Sequence, residues 1–236
     1  MPDIGKTWIA VPVFNHSVKL AGIVDAILKT CPNLVIIDDG STDADLGKML
    51  SGRSLELISH GKNLGKGRAI ITAADFIASK GGEYMITIDA DGQHRPEEIS
   101  LFLESLHGSR EKFIIGARDF NNQPIPLPSR LGRRISNFLV KVETRRELKD
   151  TQSGFRAYPV SLFSRITCKS SGFSFETEII VRAIWKGYDV SEIDISVDYP
   201  RGKERVSHFG FFKDNIRILL LHCRLIFEMM LRLFHG

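Results

Sequence analysis

Cysteine is scarce in this sequence. Only Cys31, Cys168 and Cys223 occur, and no two of them form a C-x-x-C pair. That excludes a zinc ribbon and a disulfide framework, and it predicts reduced, mostly buried thiols. Uninterrupted apolar runs of about 18 residues are absent, so no helix is expected to span a bilayer. No apolar signal segment follows Met1-Pro2-Asp3-Ile4-Gly5-Lys6, which predicts that the chain is not secreted. Internal repeats, low-complexity tracts and Gly/Ser linkers are missing too. Nor does one sign of charge dominate, since 32 Lys+Arg stand against 28 Asp+Glu. A net charge of +4 leaves no footprint for a nucleic-acid partner.

What is present is an ordinary globular composition, 43% hydrophobic and 25% charged over 236 residues. One large domain of that length buries its core without metal or disulfide staples. The charge is unevenly spread. Residues 1–110 carry 11 basic and 14 acidic side chains, and residues 111–236 carry 21 and 14. An acidic front joined to a basic back points to two jobs in one fold.

The first half alternates in period. Apolar runs at Trp8–Phe14, Leu34–Ile37, Leu55–Ser59, Tyr84–Ile88 and Phe113–Ile115 read as strands. Helical patterns separate them over Val18–Lys29, Gly65–Ser79 and Pro96–Leu106. Such alternation predicts an α/β fold with a mostly parallel sheet, helices on both faces, and ligands beyond the carboxyl ends of the strands. The second half is less regular. Asn121–Pro128 holds three prolines and reads as a loop. Helices are expected over Arg130–Arg146, Phe173–Lys186 and Phe211–Phe234, and Val190–Val197 alternates as an antiparallel or edge strand would. Thr151–Ala157 is short and contains glycine.

Asp89-Ala90-Asp91, with Gln93 and His94 behind it, carries the strongest chemical signal. Two carboxylates one residue apart at a strand end can share a divalent cation, and Mg2+ or Mn2+ accepts substrate phosphates in its remaining positions. A solvated turn would use similar residues, but the preceding apolar strand favours the metal site. Asp38-Asp39-Gly40-Ser41-Thr42-Asp43 ends the second strand. Helix capping explains Gly40 and Ser41; consecutive carboxylates also suit a base N–H or a ribose hydroxyl. Asn63-Leu64-Gly65-Lys66-Gly67 turns into a helix through glycines, and helix N-termini attract phosphate. It lacks the spacing of a Walker A loop.

These segments, preceded by Val11-Pro12-Val13-Phe14-Asn15, occur in an order that resembles the family 2 glycosyltransferases of GT-A fold. Asp150-Thr151-Gln152-Ser153-Gly154-Phe155-Arg156 further resembles the branch of dolichol-phosphate mannosyltransferase and related polyprenyl-phosphate sugar transferases. The resemblance spans about residues 7–215. It implies a nucleotide-sugar donor, a Mg2+ or Mn2+ ion and inversion at the anomeric carbon. It places Pro12, Asp38 and Asp39 around the base and ribose, with Asn15, Ser41, Lys66, Gly67, Asp89 and Ala90 as further donor-binding positions. Asp89, Asp91 and Gln93 match the metal and diphosphate positions. One departure is His16, where the family usually has Glu, so neither uracil nor guanine is inferred.

A hydroxyl acceptor needs a general base, whereas a lipid phosphate needs cations. Asp150, Glu176 and Glu178 are the candidate bases, with Asp150 preferred because it lies in the matched segment. Asp150, Asp91, Arg118 and Arg130 are the expected catalytic set, with Arg118, Arg130, Arg133 and Arg134 near acceptor phosphate. The resemblance implies that Arg201 and Arg205, flanking Lys203 in a Pro/Gly loop, close on the donor diphosphate, a task that suits arginine's fork. Residues 1–210 are expected to form the catalytic domain and 211–236 an amphipathic helix. Arg217, Arg224 and Arg232 are spaced along one stripe of that helix, which predicts an interfacial helix with its arginines towards anionic lipid. The expected partners are thus a nucleotide-diphosphate sugar, a lipid-phosphate acceptor (a glycan or lipid hydroxyl being the alternative) and a membrane surface. Nucleic acid is not expected, and a homo-oligomer is left open. The expected location is the cytoplasmic face of a membrane, peripherally bound. A non-catalytic scaffold is disfavoured by the intact Asp89/Asp91 pair. A sugar nucleotidyltransferase is disfavoured by Asn15-His16-Ser17 after the first strand, where a basic glycine-rich loop would stand.

Overall fold

The computed structural model describes residues 4–106, 111–118, 127–198 and 211–235. In chain order the elements are β1 (Thr7–Val13), α1 (Ser17–Leu28), β2 (Leu34–Asp38), α2 (Leu46–Met49), β3 (Glu56–Ser59), α3 (Lys66–Ser79), β4 (Tyr84–Thr87) and α4 (Ile99–Ser105). Then come β5 (Lys112–Arg118), α5 (Leu127–Thr144), β6 (Arg156–Pro159), α6 (Ser161–Arg165), α7 (Ser174–Trp185), β7 (Asp189–Ile195) and α8 (Phe211–His235). Most of the expected loop Asn121–Pro128 lies outside the described residues; Leu127 already opens α5, with Pro128 in its first turn, where a missing N–H costs nothing.

The strands form one seven-stranded sheet in the order β3-β2-β1-β4-β6-β5-β7. β1 lies parallel to β2 and β4, β2 parallel to β3, and β5 parallel to β7. Among the described strands only β6 runs antiparallel, between β4 and β5. The α/β class with a mostly parallel sheet is therefore as expected. β7 sits at an edge, but it runs parallel to its neighbour. Period-2 alternation fills both faces. Ile9, Val11 and Val13 join Leu20, Val24, Ile86 and Phe102 in the core under α1 and α4. Ala10 and Met85 join Ile70, Ile77, Tyr158, Ile180 and Leu225 under α3, α7 and α8.

β6 was not legible as a strand because Arg156 opens it and Pro159 closes it. Arg156 is fully buried. Its Nε donates to the Ser153 carbonyl, Nη1 to the Glu176 carbonyl at 2.7 Å and Nη2 to the Thr151 carbonyl at 2.9 Å. One guanidinium thus satisfies three backbone oxygens that burial would otherwise orphan. It ties the 151–154 turn to α7.

α8 packs against α5 and α7, with Leu221, His222 and Leu225 buried. Of its arginine stripe, Arg217 and Arg232 are exposed and Arg224 turns inwards. Arg224 Nη2 lies 2.7 Å from Glu178, a carboxylate with no exposed surface. Arg182 of α7 bridges Glu178 and Glu228 at 2.8 and 3.0 Å. The Arg232 guanidinium stacks 4.4 Å from the Trp185 ring. A buried carboxylate demands cations, and that demand turns Arg224 inwards. Leu219, Leu220, Phe227, Met230 and Leu231 are left exposed. Among the described residues no helix is long and apolar enough to cross a membrane.

Replacing Arg156 with Met removes all three donors while keeping much of the volume. We expect Arg156→Met to lose on the order of 3 kcal/mol, read as a lowered urea midpoint. A midpoint like that of the wild type would remove Arg156 as the organiser of this turn.

Candidate active site

The carboxyl ends of β1, β2 and β4 open into a cavity of about 420 Å³. Pro12, Asp39, Lys66, Asp89, Ala90, Asp91 and Gln93 line it, as the sequence predicts. Phe14, His16, Asn63, Phe173 and Arg217 complete the wall. Phe173 and Arg217 come from distant segments, and no local motif marks them.

Charge is concentrated at its floor. Lys66 Nζ sits 2.6 Å from Asp89 Oδ1 and 2.8 Å from Glu176 Oε1. Burial pushes the ammonium down, but the two carboxylates overcome this and raise its pKa above the ordinary lysine value. Burial pushes Asp89 up, but Lys66 outweighs it and holds the carboxyl below the usual range. Among the described residues no Lys or Arg forms an ion pair with Asp91, although Lys66 and Arg118 act on it from farther off. Burial and the charge of Asp89 push it up to about 6, although the Gln93 N–H donates to its Oδ1 at 2.9 Å. His94 is buried beside Phe155, and burial brings it down to about 4. A Cβ on Gly154 would overlap Asp89 and Lys66 Nζ, so the backbone approaches this pair as closely as a glycine allows.

Asp91 is thus a carboxylate short of positive charge. Among the described residues no group of three or more His, Cys, Asp or Glu side chains could hold a metal. Asp89, Asp91 and the Gln93 amide form a smaller oxygen set, and such a set suits a hard divalent cation that keeps positions for phosphate oxygens. The residues present fit Mg2+ or Mn2+.

Other expected contacts are used differently. Asp39 is buried and accepts from the Leu64 and Gly65 N–H groups at 2.9 and 2.8 Å. His60, which no motif singled out, lies 2.7 Å from Asp39 Oδ1 through Nδ1 and 3.0 Å from Thr72 through Nε2. Asp39 therefore holds the 63–65 turn against the cavity. Asp38 accepts from Ser41 N–H at 2.8 Å, Ser41 Oγ accepts from Asn15 N–H at 3.1 Å, and Asn15 Oδ1 accepts from Thr42 N–H at 2.7 Å. Asn15, Asp38 and Ser41 knit two loops together and do not line the cavity. Gly67 is corrected too. Its N–H donates to the Ser171 carbonyl at 2.8 Å, and a Cβ there would strike Phe175 at 2.5 Å. The start of α3 is capped by protein, not left open for phosphate.

The Glycosyl transferase family 2 domain matches residues 8–167. The chain belongs to that family. Polyprenol monophosphomannose synthase of Mycolicibacterium smegmatis is 27% identical over 208 residues, covering 81% of this chain and 77% of that protein. The UDP-N-acetylglucosamine–dolichyl-phosphate N-acetylglucosaminyltransferase of Methanococcus voltae is 24% identical over 246 residues, covering 91% and 95%. Glucosyl-3-phosphoglycerate synthase from Mycobacterium tuberculosis, solved with Mn2+, UDP and phosphoglyceric acid, superposes with a TM-score of 0.70 at 17% identity, covering 92% of this chain and 78% of that one. Mannosyl-3-phosphoglycerate synthase from Rubrobacter xylanophilus gives 0.70 at 18% identity, covering 98% and 75%. The fold is that of the GT-A glycosyltransferases, and the protein is a glycosyltransferase.

In this transferase the expected base is not free. Asp150 has no exposed surface, and Arg118 clamps it through Nε at 2.6 Å and Nη2 at 3.0 Å. Its own N–H donates to Glu192 on β7 at 3.0 Å. Asp150 positions Arg118 at the end of β5. Arg118 in turn is among the charges that Asp89, Asp91 and His94 sense. Glu176 is held by Lys66, and Glu178 accepts from Arg182 and from the Lys169 and Ser170 N–H groups. Arg130 is exposed on α5, outside the cavity wall. Arg201 and Arg205 lie outside the described residues.

Burial pushes the Asp150 carboxyl up, but Arg118 overcomes it and holds the group below its ordinary value. The pair's stabilisation is therefore complete above the unfolded value of about 3.9 and is lost as pH falls through the lower folded value. We expect Asp150→Asn to be less stable than wild type at neutral pH and to lose less stability on acidification below about pH 4. Urea unfolding at a series of pH values measures both. Parallel pH profiles would show that this pair does not contribute.

Proposed function

We propose that the transferase moves a sugar from a nucleoside diphosphate to a polyprenyl- or dolichyl-type phosphate at the cytoplasmic face of a membrane, with inversion at the anomeric carbon. The observation that carries this is the state of the candidate bases. Asp150 is engaged by Arg118, Glu176 by Lys66, and Glu178 by Arg182 and Arg224. A hydroxyl acceptor would require one of them to take a proton. A phosphate monoester arrives already anionic and requires only cations. The names of two relatives, a polyprenol monophosphomannose synthase and a dolichyl-phosphate N-acetylglucosaminyltransferase, support the same reading.

The nucleoside would lie against Pro12, Phe14, His16 and the wall held by Asp39. A divalent cation held by Asp89, Asp91 and Gln93 would supply positive charge against the diphosphate as it leaves. Lys66 keeps Asp89 ionised and fixed in direction. Arg118, oriented by Asp150 and near enough for Asp89, Asp91 and His94 to sense its charge, would meet the acceptor oxyanion. Attack by the acceptor oxygen forms the new bond to the anomeric carbon as the bond to the diphosphate oxygen breaks. Arg201 and Arg205 would close over that diphosphate.

The membrane reading gains support from α5. Leu131, Ile135, Phe138 and Val142 fall at spacings of four, three and four, along one helix face. All four are exposed, Phe138 by 63%. α5 packs on α8, whose outward Leu219, Phe227 and Met230 are exposed as well. Arg130, Arg134 and Lys141 of α5 are exposed, as is Arg145 just after it. An apolar platform set with cations fits an anionic bilayer surface.

Asp91→Asn should remain folded by circular dichroism and lose at least about 100-fold in transfer rate. Polyprenyl phosphate should accept sugar where glycan and lipid hydroxyls do not. Transfer confined to hydroxyls would overturn the acceptor, and full activity in the variant would overturn the role of Asp91. For the platform, Phe138→Asp combined with Leu219→Asp should weaken binding to phosphatidylglycerol-containing vesicles in flotation by about tenfold or more. Binding equal to wild type would sink the membrane reading.

A further inference from the structure

A second cleft, of about 650 Å³, lies beside the donor cavity, between the 169–174 segment, the 63–65 turn and α8. Three cationic residues line it, Lys169, Arg217 and Arg224, with hydroxyl-bearing Ser170, Ser171 and Ser174 among them. No Asp or Glu is part of the described lining. That composition is the reverse of the donor cavity, whose floor is anionic.

The walls are fixed before any ligand arrives. Glu178, fully buried behind the cleft, accepts from the Lys169 N–H at 3.1 Å and the Ser170 N–H at 2.8 Å, and it holds Arg224 at 2.7 Å. The Ser171 carbonyl accepts from Gly67 N–H, and Asp39 holds Leu64 and Gly65 from the other side. A Cβ on Gly65, where φ is +96°, would meet the Ser171 carbonyl at 2.5 Å, so the two walls touch at backbone level. The outer rim is apolar, since Leu220 of α8 lines the cleft and is 63% exposed.

We infer that this cleft binds a phosphate group, presented either by a lipid headgroup or by a soluble phosphate, at a site separate from donor and acceptor. Lys169 and Arg217 with three hydroxyls in one cleft suit a phosphate's oxygens, while Arg224 gives its charge to Glu178 and stiffens the wall. Arg118 and Arg130, proposed for acceptor phosphate, do not line it. Asn63, Gly65, Gly172 and Arg217 line both cavities. A phosphate in the cleft would therefore settle the wall against which the donor rests. The inference stands whichever acceptor the enzyme uses, because its readout is binding.

The test uses the full chain and two probes: phosphatidylcholine vesicles with or without phosphatidylglycerol, and inorganic phosphate alone. Lys169→Glu alters an exposed side chain whose backbone N–H alone is bonded to Glu178. Lys29→Glu makes the same charge change at the end of α1, which packs on the other face of the sheet. A loss of about tenfold in anionic-vesicle binding for Lys169→Glu but not Lys29→Glu assigns the cleft to a lipid headgroup. Weakened binding of inorganic phosphate, read by phosphorus NMR line broadening, with vesicle binding unchanged assigns it to a soluble phosphate. Lys169→Ala should show a smaller loss of the same kind. Equal effects of Lys169→Glu and Lys29→Glu on both probes would overturn the inference, as would no effect of either.

Discussion

The buried ammonium of Lys66 is the interaction on which the active rim depends. It lies between Asp89 at the end of β4 and Glu176 at the start of α7, and it belongs to the first turn of α3. Three elements thus meet on one charge. Each carboxylate alone would be costly to bury, and the ammonium alone would be as well. Together they make a neutralising chain that leaves Asp91 as the one carboxylate of the pair in need of a cation. The close approach of Gly67 to Phe175 and of Gly154 to Asp89 brings these elements within reach of each other.

That arrangement changes the meaning of the uneven charge along the chain. The acidic first half and basic second half do not meet as two opposed surfaces. Lys66 of the first half neutralises Glu176 of the second. Within the second half, Arg118 neutralises Asp150, and Arg182 and Arg224 neutralise Glu178. Much of the basic excess is therefore spent on the protein's own buried carboxylates. What remains is concentrated on α5 and around the cleft beside α8.

Local pattern made much of this legible. Asp89, Asp91 and Gln93 follow an apolar strand, and a strand end must face the ligand edge of a parallel sheet. Pro12 and Asp39 were readable for the same reason, although what Asp39 grips is backbone sixty-odd positions into the chain. Features that depend on partners far apart in sequence were hidden. His60 reads as a lone histidine until Asp39 and Thr72 surround it. Arg217 and Phe173 reach the cavity only because α7 packs on α3 and α8 packs on α7. The stripe on α8 was visible, but periodicity shows which residues share a face, not which way that face points. The buried acid Glu178, on another helix, draws Arg224 inwards while Arg217 and Arg232 stay exposed.

β6 is the single reversed strand of the sheet. In a run of parallel strands, each contributes to the ligand edge the residues that leave it. A reversed strand offers that edge the residues that enter it. The segment from Asp150 to Gly154 therefore arrives at the carboxylate rim from the amino-terminal side of its strand, between the exits of β4 and β5. Restoring uniform polarity would carry Asp150 and Gly154 to the far side of the molecule and leave Arg118 with nothing to aim it. The reversal gives the rim a continuous border of three neighbouring segments, where a gap between crossover connections would otherwise fall.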